Sequence, residues 1–254
     1  MAKKRSTKAD AGKPSKSVKS SVAVDSKLVP CFSKKTLSFL KEMAANNQRQ
    51  WFNENKQRYE DCVRTPALNF ITEMKPLLAK LSECLVVESK KVGGSLMRPY
   101  RDTRFGSDKT PLKTNVGMQF RHRVGKDVHA PGLYVHLEPG NLFIGAGVWR
   151  PDSATLKKIR AAIDLNPTVW RKTLEAKTLS AEWELAGESL SRPPQGFSAD
   201  HDAIEYLKRK DHILIAQFSQ DDLIADDFPV RLAKRFKATT DFMTQLCQAI
   251  GLPY

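Results

Sequence analysis

The 254-residue sequence has no apolar run near the roughly 20 residues a helix needs to span a bilayer. Its N-terminus lacks the apolar core of a secretory signal. No membrane partner is therefore expected, and a cytoplasmic setting is. Cysteines are few and scattered, at Cys31, Cys62, Cys84 and Cys247, with no CxxC pair and no zinc spacing. They are read as reduced and structural, and none sits in a basic, polar motif that would make it a nucleophile. There is no P-loop, no dinucleotide-binding glycine fingerprint, no HExxH and no GxSxG elbow. The spacing of Asp102, Asp108, His136 and Glu138 is not diagnostic of a metal site, so no metal set is predicted and no cofactor is named. Acidic residues are also in deficit, 28 against 42 Lys and Arg, for a net charge of +14.

That imbalance has two sources. Residues 1–27 hold eight Lys or Arg and two Asp, with few large apolar groups. Such a segment cannot bury enough surface to offset its ordering entropy, so a disordered basic tail is expected. It reads equally as an electrostatic arm for nucleic acid and as a solubilising tail. The remaining chain, 28–254, is still basic, with 34 cations against 26 acids. A basic surface favours nucleic acid, phosphorylated ligands or acidic membranes without choosing between them.

Within 28–254 the apolar spacing changes period twice. Helical spacing runs through Leu37, Leu40 and Met43, with Ser33 as cap and Asn46-Asn47 as stop, then from Pro66 through Leu81, with Pro76 predicted to kink it. Alternation follows at Val116–His122 and Leu133–Glu138, and a Pro139-Gly140-Asn141 turn leads into Leu142–Trp149. One face of that hairpin is aliphatic. The other offers Tyr134, His136 and Glu138 beside Gly145 and Gly147, where missing side chains leave room for a ligand or a packed element. Later stretches read as helices from Ser153 and Pro167, an extended segment in Trp183–Leu190, a helix over Asp200–Lys210, a buried strand at His212–Phe218 and one long helix over Phe228–Ile250. Helices, then strands, then helices indicate an α+β single domain, an antiparallel β-meander packed against N- and C-terminal helices.

Two stretches carry the candidate chemistry. Residues 98–114, RPYRDTRFGSDKTPLKT, gather Arg98, Arg101, Arg104, Lys109 and Lys113 around only Asp102 and Asp108, on a predicted loop. Residues 46–59, NNQRQWFNENKQRY, place Trp51 and Asn55, Phe52 and Lys56, and Asn55 and Tyr59 one helical turn apart. Aromatics at that spacing line a ligand pocket or belong to the core.

These motifs, with GLYVHLEPGNLFIGAGVWRP at 132–151 and the weaker RPPQGFSADH at 192–201, closely resemble the bacterial family called domain of unknown function 2461, from about Phe32 to the C-terminus. The resemblance marks Asn47, Trp51, Phe52, Asn55 and Lys56, together with Arg101, Asp102, Arg104, Phe105, Asp108, Lys109, Lys113 and Thr114. The chain departs at Gly106, where the family usually has serine, and at Leu112, where it usually has tyrosine. The resemblance implies a shared site and no established activity.

The leading expectation is a protein that binds a phosphate- or carboxylate-bearing small molecule in a basic pocket. Arg101 and Arg104 would clamp the anion, with charge from Lys109 and Lys113. Asn47, Trp51, Asn55, Lys56 and Tyr134 would line the site, and Asp102, Asp108 and His136 would supply acid/base groups if they meet. The alternative is a nucleic-acid-binding module using the basic tail and basic face. A third reading has the Arg–Asp pairs simply tying the loop to the fold. Substrate, reaction and oligomeric state are not readable.

Overall fold

The computed structural model describes residue 1 and residues 31–104, 107–125 and 129–254. Residues 2–27 of the expected tail, 1–27, lie outside the described residues, as do Phe105 and Gly106.

Helix α1 (Lys34–Ala45) starts at Ser33 and ends at Asn46, whose side chain bonds back to the Glu42 carbonyl. Its apolar stripe, Leu37, Leu40 and Met43, is buried because the spacing repeats once per turn. Residues 46–59 form two short helices, α2 (Arg49–Glu54) and α3 (Lys56–Tyr59), separated at Asn55. A single π-helical turn, Glu60–Arg64, leads into α4 (Thr65–Ala79), which carries Pro66 in its first turn. Phe70 of α4 meets Phe32 at 5.5 Å between ring centroids and Phe228 at 5.5 Å. This aromatic cluster ties the chain's beginning to its last third.

The strands are β1 (Val116–Arg121), β2 (Gly132–Glu138), β3 (Asn141–Val148), β4 (Glu184–Ala186) and β5 (His212–Gln217). They form one antiparallel sheet in the order β1-β2-β3-β5-β4. The meander expected from the alternation is β1-β2-β3. The crossover from β3 carries α5 (Ser153–Leu165), α6 (Pro167–Glu175), α7 (Lys177–Ser180) and the edge strand β4 before β5 returns beside β3. Asp152 caps α5 by accepting from the Thr155 N–H at 2.7 Å.

Between β4 and β5 the helix expected over Asp200–Lys210 shrinks to α8 (Ile204–Leu207), and past the sheet α9 spans Gln220–Leu223. The long helix expected over Phe228–Ile250 is two, α10 (Phe228–Lys237) and α11 (Thr240–Ala249). At the break, Ala238 and Thr239 tighten to i→i+3 bonds, and the Thr239 and Thr240 hydroxyls take the carbonyls of Phe236 and Lys237. The apolar spacing runs through this break unchanged, so the hydroxyls supply the stop.

Successive strand residues face opposite sides. Leu133, Val135 and Leu137 of β2 and Ile144, Ala146 and Val148 of β3 are buried under the helices, with α1 against β2 and α11 against β3. Buried apolar residues from Phe32 to Leu246 form one continuous cluster. The opposite face of the sheet holds the site.

Candidate functional site

Register fixes what lies side by side on that open face. Gly117, His136 and Phe143 form one row across β1, β2 and β3, and Gln119, Tyr134, Gly145 and Ile215 form the next, extending to β5. A third row places Gly132 and Gly147 together beside Ile213. The glycines lower the floor between aromatic walls. The result is a cleft of about 540 Å³, flanked by Phe143, Trp149, Ile213 and Ile215, with Lys113 and Asn115 at one end.

The polar end is a connected chain of hydrogen bonds. Tyr134 Oη lies 3.1 Å from His136 Nδ1, and Asn115 Nδ2 lies 3.4 Å from that hydroxyl and 3.3 Å from the same ring nitrogen. His136 Nε2 is 3.3 Å from Glu138 Oε2. The Thr114 hydroxyl donates to Glu138 Oε1. The His136 ring stacks on Phe143, 4.5 Å between centroids and 15° from parallel. Burial pushes the Tyr134 phenol up to about 12. Burial likewise lowers His136, against an opposing hydrogen bond and charge from Glu138. Burial also works to raise Glu138, but hydrogen bonds from Thr114 and His136 outweigh it and hold the carboxyl below its usual range.

Lys113 reaches the cleft because an arm, residues 98–114, is folded back on itself. Arg101 N–H donates to the Pro111 carbonyl at 3.0 Å and Lys113 N–H to Pro99 at 2.7 Å, with Tyr100 and Leu112 paired between them. Asn47 clamps this ladder, donating from Nδ2 to the Leu112 carbonyl and accepting the Leu112 N–H at Oδ1, both at 3.0 Å. Tyr100 meets Phe52 edge-on at 5.7 Å. The two sequence motifs thus meet, and the helical one positions the arm. Lys113 is half-buried, and burial, then repulsion from Arg98 and Arg101, lowers its pKa. Among the described residues lining the cleft it is the one cation.

Of the residues singled out from sequence, Lys113, Tyr134 and His136 line this cleft together. The others do not. Arg101 pairs with Asp108 at 2.8 Å, and Arg104 pairs with Asp102 at 2.7 Å while its side chain is 75% exposed. Lys109 donates to the Thr103 carbonyl. Neither residue of the expected Arg101–Arg104 clamp lines this cleft. The arm's acids lie close in sequence to its bases and pair with them, though Arg101 Nε is buried without a hydrogen-bond partner among the described residues. Asp102 and Asp108 are likewise exposed and held in their charged forms, the first by Arg104 and the second by Thr110. The polar partners of His136 are Asn115, Tyr134 and Glu138, so the expected Asp102–Asp108–His136 grouping does not form. Trp51 packs on Phe39 at 5.7 Å, Asn55 bonds to the Trp51 carbonyl and to Arg58, and Lys56 is exposed. Asn47 is a clamp on the arm.

Two functional groups escaped the sequence reading as site members. Asn115 stands two residues before Gly117, so extending the β1 alternation by one step would have put it on the open face. Phe143 shares that face with Gly145, but its stacking on His136 follows only from strand register. Among the described residues, no group of three or more His, Cys, Asp or Glu is placed to hold a metal ion. No helix among them is long and apolar enough to cross a membrane.

The family model described as "Conserved hypothetical protein (DUF2461)" matches residues 35–244. The chain belongs to this family. Comparison with curated proteins and with solved structures gives no match. The DUF2461 match takes in α1, the arm and the whole sheet, so every residue of the cleft named above falls inside it.

Proposed function

We propose that the cleft binds a small organic anion, with a flat apolar body on the glycine floor and a carboxylate or phosphate head at Lys113. The observation that carries this reading is the half-buried Lys113, the one Lys or Arg among the described residues lining a largely apolar cleft. Ligand sites are commonly apolar concavities with a few convergent polar groups. A cation partly removed from water attracts an anion more strongly than an exposed one does. The Asn115 amide, which lines the same cleft, supplies a directional bond to the same head. The flat body follows from the row Tyr134, Gly145 and Ile215, where a Cβ on Gly145 would meet nothing nearer than 3.7 Å.

The test is a thermal-shift and calorimetric titration of wild type, Lys113→Met and Gly145→Val. The panel holds aryl carboxylates, sugar phosphates, nucleotides, and single- and double-stranded DNA. A ligand binding only the native state at 100 times its Kd stabilises it by about 2.7 kcal/mol. Aryl carboxylates or flat phosphates are expected to shift wild type, with the shift lost in both variants. Stabilisation by DNA alone, abolished by salt, would replace this reading with the nucleic-acid one.

A further inference from the structure

We infer that Tyr134, His136 and Glu138 form a proton relay in which Tyr134 Oη takes a proton from the bound ligand. The cleft would then catalyse proton abstraction next to an anionic head. This rests on the cleft reading above and adds a reaction class to it.

The direction of the relay follows from what each group can donate. A carboxylate only accepts, and the two oxygens of Glu138 face the Thr114 hydroxyl and His136 Nε2. Nε2 therefore carries the ring hydrogen, and Nδ1 presents its lone pair. Both neighbours of Nδ1, the Tyr134 hydroxyl and the Asn115 amide, are donors. The phenolic hydrogen thus points at the imidazole, one Oη lone pair accepts from Asn115 Nδ2, and the second is left for a ligand. This is the order hydroxyl, imidazole, carboxylate, with stacking on Phe143 fixing the ring.

The step balances without an oxidant or reductant. The ligand's C–H or O–H bond breaks and its proton goes to Tyr134 Oη, while the Tyr134 proton passes to Nδ1. The electron pair stays on the ligand, and the imidazolium lies against the Glu138 carboxylate. Lys113 lies at the same end, its Nζ 4.0 Å from Met97 Sδ. That sulfur and Tyr134 Oη both lie within 3 Å of where a Gly117 Cβ would be. A ligand head at Lys113 therefore brings its neighbouring atoms toward Oη, and negative charge developing there is met by the ammonium. With the phenol pushed up to about 12 and the imidazole lowered, the relay rests as phenol and neutral imidazole, the state that accepts a proton. The titratable groups bonded to His136 are Tyr134 and Glu138 on its own strand, and Lys113 lines the same cleft. Tyr134 is the catalytic residue, and His136 and Glu138 act through it.

The experiment uses the full chain, with phenylpyruvate as a flat anion carrying an acidic C–H and phenylacetate as a binding control. Deuterium uptake from D2O is followed by proton NMR, and binding by calorimetry. Wild type is expected to speed exchange by at least ~100-fold over buffer, with Tyr134→Phe losing that acceleration while still binding phenylacetate. The rate should rise with pH through a limb below about 6.5, set by His136 and absent in His136→Gln. Gly117→Ala, whose methyl would displace Oη, should slow exchange and leave the fold intact. Bound phenylpyruvate exchanging at the buffer rate overturns the relay and leaves the cleft reading standing. Failure of both aryl acids to bind overturns the cleft reading, and the relay with it. Nitrogen-15 NMR gives an independent decision, since a His136 protonated on Nδ1 rather than Nε2 overturns the relay whatever the ligand does.

Discussion

Asn47 makes two hydrogen bonds to one residue's backbone, and only an amide side chain can donate and accept in that arrangement. Leu112, the residue it grips, has a fully buried side chain, and Lys113 follows directly. Truncation would leave both Leu112 backbone groups short of a partner. Asn47→Ala is therefore expected to cost about 1–3 kcal/mol, seen as a lower urea midpoint with unchanged slope. It should also weaken anion binding, because the arm holding Lys113 is no longer fixed. Asn47→Asp should fare no better, since a carboxylate oxygen would face the Leu112 carbonyl. Arg104→Ala is the contrast. Its ion pair with Asp102 is exposed, and exposed pairs contribute little. A thermal midpoint within scatter of wild type is expected, and a large drop would mean that the arm's charges hold the fold. At this scale the sequence revealed the groups but not their pairing. Arg101, Arg104, Asp102 and Asp108 look like an anion clamp with catalytic acids, whereas the fold pairs Arg101 with Asp108 and Arg104 with Asp102, away from the cleft.

The sheet is the element that makes the cleft, and two glycines on β3 separate structure from function. Gly147 has φ of +137°, and a Cβ there would come within 2.1 Å of the His212 carbonyl on β5. Gly145 has nothing nearer than 3.7 Å to such an atom. Gly147→Ala is therefore expected to separate β3 from β5 and leave little folded protein, whereas Gly145→Ala should fold normally. Circular dichroism and soluble yield of the pair decide this, and equal behaviour would contradict the register. Much of the element was legible beforehand. Alternation at 116–122, 133–138 and 142–149 identified three of the strands, and it put Tyr134, His136 and the glycines on the side away from the core. Alternation says nothing about which strand is a neighbour, so the place of β5 beside β3 and of β4 at the edge was not readable, although both segments read as extended. Helical spacing in 46–59 suggested a polar-aromatic ligand face. The competing physics was core packing, which placed Trp51 on Phe39 and Phe52 against Tyr59.

Across the whole molecule the buried titratable groups favour the same pH range. His212 is 3% exposed, and burial, followed by repulsion from Arg160 and Arg209 and partly offset by Asp211, pushes it down to about 3. His136 is lowered too. In the unfolded chain both titrate near 6.5. Below that pH the unfolded state binds more protons than the native state, so stability must fall as pH falls, and for His212 the loss continues toward about 3. Glu138 and Asp222, held below their usual range in the fold, add a further loss at lower pH. On the alkaline side, Cys31 and Cys247 are pushed up to about 12, chiefly by burial, so ionisation of unfolded thiols near 8.5 draws stability down as pH rises. The net charge of +14 adds repulsion on acidification. A stability maximum near neutrality is expected. His212→Phe isolates one proton of the acid limb, because it keeps a flat ring beside Trp170 and removes the titrating nitrogen. Between about pH 6.5 and 5, its unfolding free energy should decline less steeply than wild type, by up to about 1.4 kcal/mol per pH unit. Urea melts across that range measure the two slopes directly. Parallel slopes would mean that His212 is protonated in the folded protein, and that Arg160 and Arg209 do not hold it neutral.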